Sequence, residues 1–212
     1  MSTATRDTTC LHLEPREVFA ADAPHQLWRV ASGALRIDSA PPDEANRFVR
    51  LALPGDVIGV EQWAGTNDHL SLRALIDTSL TPVEASGPQM MQVLMETVVV
   101  AHQRCREVVT LRSGPVAQRI KALLLMFAQG QPIGNNASVS DCPVPYLADL
   151  SEIVDAAPET VSRVLGSMRA HDFLQGRKPQ KARFSSQALK GLEMVAGMSA
   201  VRPARKLRTA VA

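Results

Sequence analysis

Short hydrophobic segments separated by turn-forming residues occupy the chain from Glu17 to Val83. Gly, Pro, Asp and Asn interrupt them at roughly ten-residue intervals, which favours a small antiparallel barrel or roll over helices. The Pro-Pro-Asp sequence within 39–46 predicts an exposed hairpin loop. The segments are LWRVASGALRI, RFVRLALPGDVIGV, LSLRALI and SLTPVEA.

A helical period replaces this pattern from Gln89 to Arg112. Apolar residues recur there at alternating spacings of three and four, as in a helix that packs lengthwise on a partner. Met95, Val99 and Val109 form a second apolar face. One face can meet the roll and the other a second copy, so we expect a homodimer through this helix; the alternative is a core helix within one chain. The predicted dimer stripe is Met91, Leu94, Val98, Ala101, Cys105 and Val108.

The helical pattern stops at RSGP, Arg112 to Pro115, where Gly and Pro are helix stop and start signals. We expect a hinge between domains at this point. PVAQRIKALLLMFAQG then predicts a short amphipathic helix that ends at Gly130, followed by a loop. Its apolar face is Val116, Ile120, Leu123, Leu124 and Phe127.

Two further short helices, YLADLSEIVDA and PETVSRVLGSMRAHDF, have almost no linker between them. Each has one apolar face, so they can cover each other as a helix-turn-helix. Asp155 stands where the turn requires a left-handed residue, a conformation that Asp tolerates better than most residues. The apolar faces are Leu147, Leu150, Ile153 and Val154 in the first helix and Val161, Val164, Leu165 and Met168 in the second.

Pro158 is predicted to start the second helix, because a proline in the first turn loses no helical hydrogen bond. Ala157 before it is a poor cap, whereas Glu159 suits the positive end of the helix dipole. Glu159, Ser162 and Arg163 then share one exposed face. In a recognition helix these side chains read base edges; the alternative for Glu159 and Arg163 is a helix-stabilising ion pair.

The segment FLQGRKPQKARFS, Phe173 to Ser185, predicts a β-hairpin wing with a basic tip. Basic side chains there suit phosphate contacts, which position a protein without specifying sequence. We expect a short closing helix at SSQALKGLEMVAG and a disordered basic tail over 198–212. The predicted contacts to the DNA backbone are Thr160, Arg169, Arg177, Lys178 and Lys181.

Charge is distributed unevenly along the 212 residues, whose formal net charge is +2. Residues 1–115 contain ten basic and fourteen acidic side chains, whereas 116–212 contain thirteen basic and seven acidic ones. This asymmetry favours a polyanion-binding C-terminal domain, although a solvated basic face has the same composition.

The remaining composition argues against several other classes of protein. No apolar run is long enough to span a membrane and the N-terminus lacks a secretory core, so we expect a cytoplasmic protein. Three separated cysteines suggest neither a disulfide framework nor a zinc motif. No catalytic set clusters in the sequence, so we expect no enzyme. The five histidines do not converge by sequence: His12, His25, His69, His102 and His171.

The chain resembles the superfamily of the cyclic-AMP receptor protein and the fumarate-nitrate reduction regulator (Crp/Fnr), which are bacterial transcription regulators. LWRVASGALRI, LALPGDVIGV and ETVSRVL match this superfamily in nearly full-length order. The resemblance implies an α+β chain with a cyclic-nucleotide-binding-like β-roll, a long dimerisation helix and a winged helix-turn-helix. The implied domains are 1–87 for the sensor, 88–112 for the dimer helix, 113–197 for DNA binding and 198–212 for the tail.

Carried over residue by residue, Glu159, Ser162 and Arg163 match the base-reading residues of the superfamily. Pro158 replaces an arginine that reads a base in the cyclic-AMP branch. The resemblance therefore implies a homodimer on a palindromic DNA site with a TGA-like half-site core. It also implies contact with RNA polymerase if the protein is an activator.

The sensor half departs from the superfamily pattern. Val60 follows Gly59 where a glutamate is expected, and His69-Leu70 replaces the Arg-Ser/Thr that clamps the cyclic phosphate. Cyclic AMP is therefore a doubtful effector, with Arg73 as a poor substitute. An iron–sulfur cluster needs more N-terminal cysteines than Cys10, and haem ligation by a lone histidine is not favoured.

Two questions stay open at this point. Cys105 lies on the predicted dimer stripe, where it is either a small packed residue or one half of an inter-subunit disulfide. The effector is unidentified, and the alternative to a ligand sensor is a ligand-independent regulator whose roll is a scaffold or protein-interaction module.

Overall fold

The chain forms two compact units in the computed structural model. The first comprises Met1–Val109 and Gly130–Pro132, and the second comprises Thr110–Gln129 and Ile133–Ala212. The structure describes residues 10–20, 26–63, 69–129, 141–176, 183–185, 192–193 and 202–203.

The first unit is rich in strands, as the short hydrophobic segments and the turn residues between them predict. Its strands pair antiparallel in two sheets, and the predicted hairpin loop at 39–46 joins two paired strands. The strands are β1 (Leu11–Leu13), β2 (Trp28–Ser32), β3 (Leu35–Ser39), β4 (Arg47–Ala52), β5 (Val57–Ile58), β6 (Leu70–Ala74) and β7 (Thr78–Pro82).

One sheet has the order β1-β7-β2-β5 and the other β4-β3-β6. Alternate side chains of both sheets form one apolar core, as period-two segments with a single buried face do. Gly33 makes the tight turn between β2 and β3 with φ 89°, and a Cβ there would lie 2.4 Å from the Asp77 carbonyl oxygen. The buried core residues are Leu13, Phe19, Val30, Leu35, Ile37, Ala52, Ile58, Ala74 and Leu80.

Two elements of this unit are absent from the sequence prediction. β1 is three residues long, too short to show an alternation, and it forms by pairing with β7. A single helical turn, α1 (Val60–Trp63), follows Gly59, whose φ is 96°. Both depend on tertiary contacts or local backbone geometry that a periodicity argument does not detect.

The long helix α2 (Pro88–Arg112) is 25 residues long and forms where the three-four spacing predicts it. An ion pair between Arg104 and Asp56 attaches α2 to the turn before β5. The face away from that contact is apolar and exposed. We name its residues, which recur at spacings of four and three, the α2 seam: Met91, Met95, Val98, His102, Cys105 and Val109.

The α2 seam overlaps the stripe expected from the sequence without coinciding with it. Met91, Val98 and Cys105 are exposed members of both sets, whereas three other members of the predicted stripe are partly buried. The exposed apolar face is therefore rotated toward Met95 and Val109. The partly buried members are Leu94, Ala101 and Val108.

The second unit combines helices with a small sheet. The interruption at Arg112 to Pro115 is present, and Gly114 adopts a left-handed φ of 79° there. No helix in the described ranges is long and apolar enough to cross a membrane. The elements are α3 (Val116–Gln129), β8 (Asp141–Pro143), α4 (Leu147–Ile153), α5 (Pro158–Ala170), β9 (Leu174–Gln175) and β10 (Arg183–Ser185).

The predicted apolar face of α3 is confirmed, since Ile120, Leu123, Leu124 and Phe127 are buried and Val116 is partly buried. β10 lies between β8 and β9 in an antiparallel sheet, so the two flanks of the expected wing do pair. β8 was not predicted, because its three residues end a segment that has the composition of a loop.

The expectation for the last part of the chain needs correction. Leu192–Glu193 form strand β11, not part of a closing helix, and pair with strand β12 at Arg202–Pro203, inside the expected disordered tail. Gly191 and Gly197 weaken helix formation, and strand pairing between distant segments leaves no local signal. The rest of 198–212 lies outside the described residues.

Candidate nucleic-acid interface

Helices α4 and α5 pack together through the apolar faces predicted for them. Leu150, Ile153 and Val154 of the first segment are fully buried, and Leu147 is partly buried. The face of α5 that meets them is confirmed residue by residue. Its buried members are Val161, Val164, Leu165 and Met168.

The turn between the two helices has the left-handed residue that the sequence predicts. Asp155 has φ 49° and is exposed, so its side chain is not forced into the core. Its conformation lets the chain reverse direction within four residues, from Val154 to Ala157.

Arg119 of α3 supports this turn, a role that the sequence analysis missed. Its Nη1 donates to the carbonyl oxygens of Val154 at 2.8 Å and Asp155 at 3.2 Å, and its Nε donates to the Gly114 carbonyl at 2.8 Å. These bonds satisfy carbonyl groups at the end of α4 that have no helical partner. The acceptors are backbone atoms in a distant segment, so no residue type in the sequence indicates them.

The start of α5 confirms the prediction for Pro158. Pro158 is its first residue, Ala157 precedes it with extended dihedral angles, and no side chain caps the helix. The backbone N–H groups of Thr160 and Val161 donate to the Ala157 carbonyl at 2.9 and 3.1 Å. The proline ring, whose φ suits a helix, thus takes the place of a capping side chain.

Three polar side chains project from the first turns of α5. Glu159, Ser162 and Arg163 are all exposed, on the side opposite the buried face. Within the described ranges Glu159 and Arg163 form no ion pair with each other, although they are four residues apart. This surface is therefore available to a ligand with donors and acceptors of its own.

The residues expected to contact a nucleic-acid backbone differ in their settings. Thr160 is partly buried, and Arg169 donates from Nε to the Gly176 carbonyl at 3.1 Å, which holds its guanidinium beside the end of β9. Arg177, Lys178 and Lys181 lie outside the described residues.

In the first unit an ion pair lies next to Val60, where the sequence departs from the superfamily pattern. Arg50 of β4 donates from Nη2 to Glu61 Oε1 at 2.8 Å, and their side chains are 11% and 32% exposed. Glu61 is the residue after Val60, in the single turn of α1. The glutamate nearest to the position expected for a ligand contact is thus already bound to an arginine of the chain.

Comparison with known proteins supports the fold. A CRP-family transcriptional regulator from Thermus thermophilus is 18% identical, with a TM-score of 0.65 over 85% of this chain and 94% of that one. FixK2 from Bradyrhizobium japonicum is 22% identical, with a TM-score of 0.62 over 89% and 98%. The c-di-GMP responsive global regulator CLP from Xanthomonas campestris is 18% identical, with a TM-score of 0.56 over 84% and 93%.

No family model matches the chain, and no curated protein matches its sequence. The similarity is therefore one of fold, over almost the whole length of the structures compared. The protein has the α+β fold of Crp/Fnr transcription regulators, which confirms at the level of fold the resemblance inferred from the sequence.

Proposed function

We propose that this chain is a sequence-specific DNA-binding transcription regulator that acts as a homodimer. In this proposal α4 and α5 are a helix-turn-helix, and α5 is the recognition helix. The observation that carries the proposal is the exposure of Glu159, Ser162 and Arg163 on the first turns of α5, while the opposite face is buried. Recognition helices present this part of their surface to the major groove.

The chemistry of the three side chains suits base edges. The guanidinium of Arg163 can donate two parallel hydrogen bonds to O6 and N7 of guanine, and the carboxylate of Glu159 can accept from N4 of cytosine. Ser162 can donate to or accept from either kind of base. Two such helices in a symmetric dimer read a palindrome, and the resemblance gives its half-sites a TGA-like core.

Backbone contacts would come from the wing and from both ends of α5. The β9–β10 hairpin would bring the basic tip with Arg177, Lys178 and Lys181 to the phosphates, together with Thr160 and Arg169. Such contacts supply affinity that depends on salt but does not distinguish sequences. The basic excess of 116–212 is consistent with this division.

The dimer would form through the α2 seam, whose apolar side chains have no cover within the described part of their own chain. Burying them against a second copy removes apolar surface from water, and a symmetric copy presents the same stripe. If the protein is an activator, RNA polymerase is the further partner. The proposed activity is binding and not turnover.

The first unit would act as the sensor for a signal other than cyclic AMP. The Arg50–Glu61 ion pair favours a second candidate as well, a regulator that needs no ligand, because the chain itself neutralises this carboxylate. A change in DNA affinity on addition of a metabolite would support the sensor, and an affinity independent of every metabolite would support the scaffold.

Selection of bound DNA from a random pool tests the proposal, carried out with the full chain and with Arg163→Ala. We expect a palindrome from the full chain and loss of about 1–3 kcal/mol of discrimination at one base pair per half-site in the variant. Arg47→Ala, which changes an exposed arginine of the first unit, is the control and should select the original site. Unchanged discrimination by Arg163→Ala would contradict the assignment.

A further inference from the structure

The α2 seam contains two side chains that can bind a metal ion, His102 and Cys105, and both are exposed. They are three residues apart, so they are neighbours on one helix face, with about 5 to 6 Å between Cβ atoms. The seam positions around them are Met or Val, with exposures of 60% for Met95, 63% for Val98 and 65% for Val109. An imidazole buried among such residues costs free energy unless it gains a polar partner.

The orientation of α2 about its own axis, against the strands of the first unit, keeps both side chains exposed. Arg104, between them in sequence, points the other way and binds Asp56 with an Nε–Oδ2 distance of 2.7 Å. Turning the seam toward the roll would break this buried ion pair. Within the described residues their own chain covers neither side chain, so a second chain is free to supply the partners of His102 and Cys105.

A second copy of the chain fits the seam. Its spacings of four and three are those of core positions in a two-stranded coiled coil. The proposed DNA-binding unit follows the C-terminal end of α2 in each chain, and both units must reach one duplex. The two helices therefore run parallel about a two-fold axis, and identical residues face each other in successive layers.

We infer that the two copies complete a zinc site from His102 and Cys105 of each chain, an inference that rests on the dimer of the proposed function. Two imidazole nitrogens and two thiolates are a ligand set that zinc prefers in closed tetrahedral sites. Zn–S bonds of about 2.3 Å and Zn–N bonds of about 2.0 Å place sulfur and nitrogen about 3.5 Å apart, within reach of neighbours on one helix face.

The charges and protons of this site balance. Each Cys105 thiol releases its proton to solvent as its sulfur binds zinc, so two protons leave per dimer. Two thiolates neutralise the two positive charges of the ion, which suits a site between apolar layers. One chain is insufficient, because within the described ranges no three His, Cys, Asp or Glu side chains cluster.

Zinc titration of the reduced full chain tests the inference, followed by removal of free metal and measurement of bound zinc per chain. We expect one zinc ion per two chains. Sedimentation equilibrium should show that the dimer dissociation constant falls about tenfold when free zinc exceeds the zinc dissociation constant tenfold, because zinc binds only the dimer. Cobalt should give the visible absorption of a tetrahedral thiolate complex.

Two variants separate metal binding from dimerisation. Cys105→Ser should lose the zinc and the zinc effect while keeping the metal-free dimer. His102→Leu should also lose the zinc, yet its metal-free dimer should be tighter, since an apolar residue replaces the imidazole. The matched control is the double variant Cys10→Ser, His12→Ala, which removes an exposed Cys and His away from α2 and should bind zinc normally.

Three results would overturn the inference: a metal-free dimer that takes up no zinc, zinc bound at one ion per chain, or zinc lost in the Cys10, His12 control. A chain that remains monomeric with and without zinc would instead contradict the dimer of the proposed function. The two failures are therefore distinguishable in the same experiment.

Discussion

Arg104 of α2 and Asp56 of the β4–β5 turn form a bidentate ion pair, with Nε–Oδ2 and Nη2–Oδ1 distances of 2.7 and 2.9 Å. Their side chains are only 11% and 4% exposed. Asp56 also accepts from the Leu53 backbone N–H at 3.0 Å, and Arg104 Nη1 donates to Glu107 at 2.7 and 2.9 Å. Burial alone would lower the pKa of Arg104, but the bonds to Asp56 and Glu107 raise it above its ordinary value, so the guanidinium stays charged.

Arg104→Met should therefore destabilise the first unit. The substitution keeps the aliphatic stem but leaves the Asp56 carboxylate buried without its cation, and we expect a loss of about 3 kcal/mol in the free energy of unfolding. Urea denaturation at fixed chain concentration measures it. Arg47→Met is the control, because its ion pair with Glu44 is 78% and 56% exposed and should contribute less than about 1 kcal/mol. Equal losses in the two variants would contradict the role given to Arg104.

Val98→Asp should weaken the dimer by about a hundredfold or more, because the two-fold axis would bury two unpaired carboxylates in the α2 seam. Sedimentation equilibrium of the full chain measures the dissociation constant. Val49→Asp is the matched control, since Val49 is 42% exposed on β4 and lies outside α2. A dimer that tolerates Val98→Asp would place the subunit interface elsewhere.

Pro158→Arg should extend the DNA site. Position 158 is exposed in the first turn of α5, where the backbone makes no helical hydrogen bond through its nitrogen. Arginine can therefore take the place of proline without changing the hydrogen bonds of the helix. A guanidinium there should add a preference for guanine of about 1–3 kcal/mol at one further position in each half-site. Pro158→Ala controls for loss of the ring. Random-pool selection compares the three proteins, and identical sites from all of them would argue against the placement of this residue at the DNA.

Cys142 makes stability dependent on alkaline pH. Burial raises the pKa of its thiol to about 12 from an ordinary value of 9.0, and nearby Arg183 lowers it by less. Between these two pH values the folded state keeps a proton on Cys142 that the unfolded chain has lost. The contribution of this thiol to the free energy of unfolding is therefore complete below about pH 9 and disappears by about pH 12.

The free energy of unfolding should consequently fall more steeply with pH in the wild type than in Cys142→Ala over that range. Urea denaturation at several alkaline pH values measures both slopes, and their difference removes the titration of other groups. Cys10→Ser, which changes an exposed thiol, should behave like the wild type. Parallel slopes for wild type and Cys142→Ala would mean that burial does not raise the pKa of the Cys142 thiol.

Local signals in the sequence account for much of the fold and of the candidate site. The turn residue Asp155, the helix start at Pro158 and the buried face of α5 were all predictable, because backbone dihedral preferences and helical periodicity act over a few residues. The exposure of Glu159, Ser162 and Arg163 follows from the same period. Strands β2–β4, β6 and β7 were indicated by short hydrophobic segments and by the turn residues between them.

Elements that depend on distant partners were not predictable. β1 and β8 are too short to show a period. The short strands β11 and β12 lie within segments expected to be a helix and a tail, because strand pairing leaves no local trace. Arg119 supports the turn by binding carbonyl groups about 35 residues away, which no residue pattern announces. The predicted dimer stripe shares Met91, Val98 and Cys105 with the exposed face of α2, and its role in a dimer stays a prediction.

By itself, then, the sequence determined the order of the elements, the start and buried face of α5, and the two faces from which a seam on α2 could be drawn. Only the tertiary structure decided that the outward surface combines residues of both faces, with Met95 and Val109 beside Met91, Val98 and Cys105. The ion pair between Arg104 and Asp56 sets the rotation of α2, because its energy depends on a distance between residues 48 positions apart. That rotation exposes His102 and Cys105 together on the seam, a juxtaposition that the spacing of apolar residues alone did not identify.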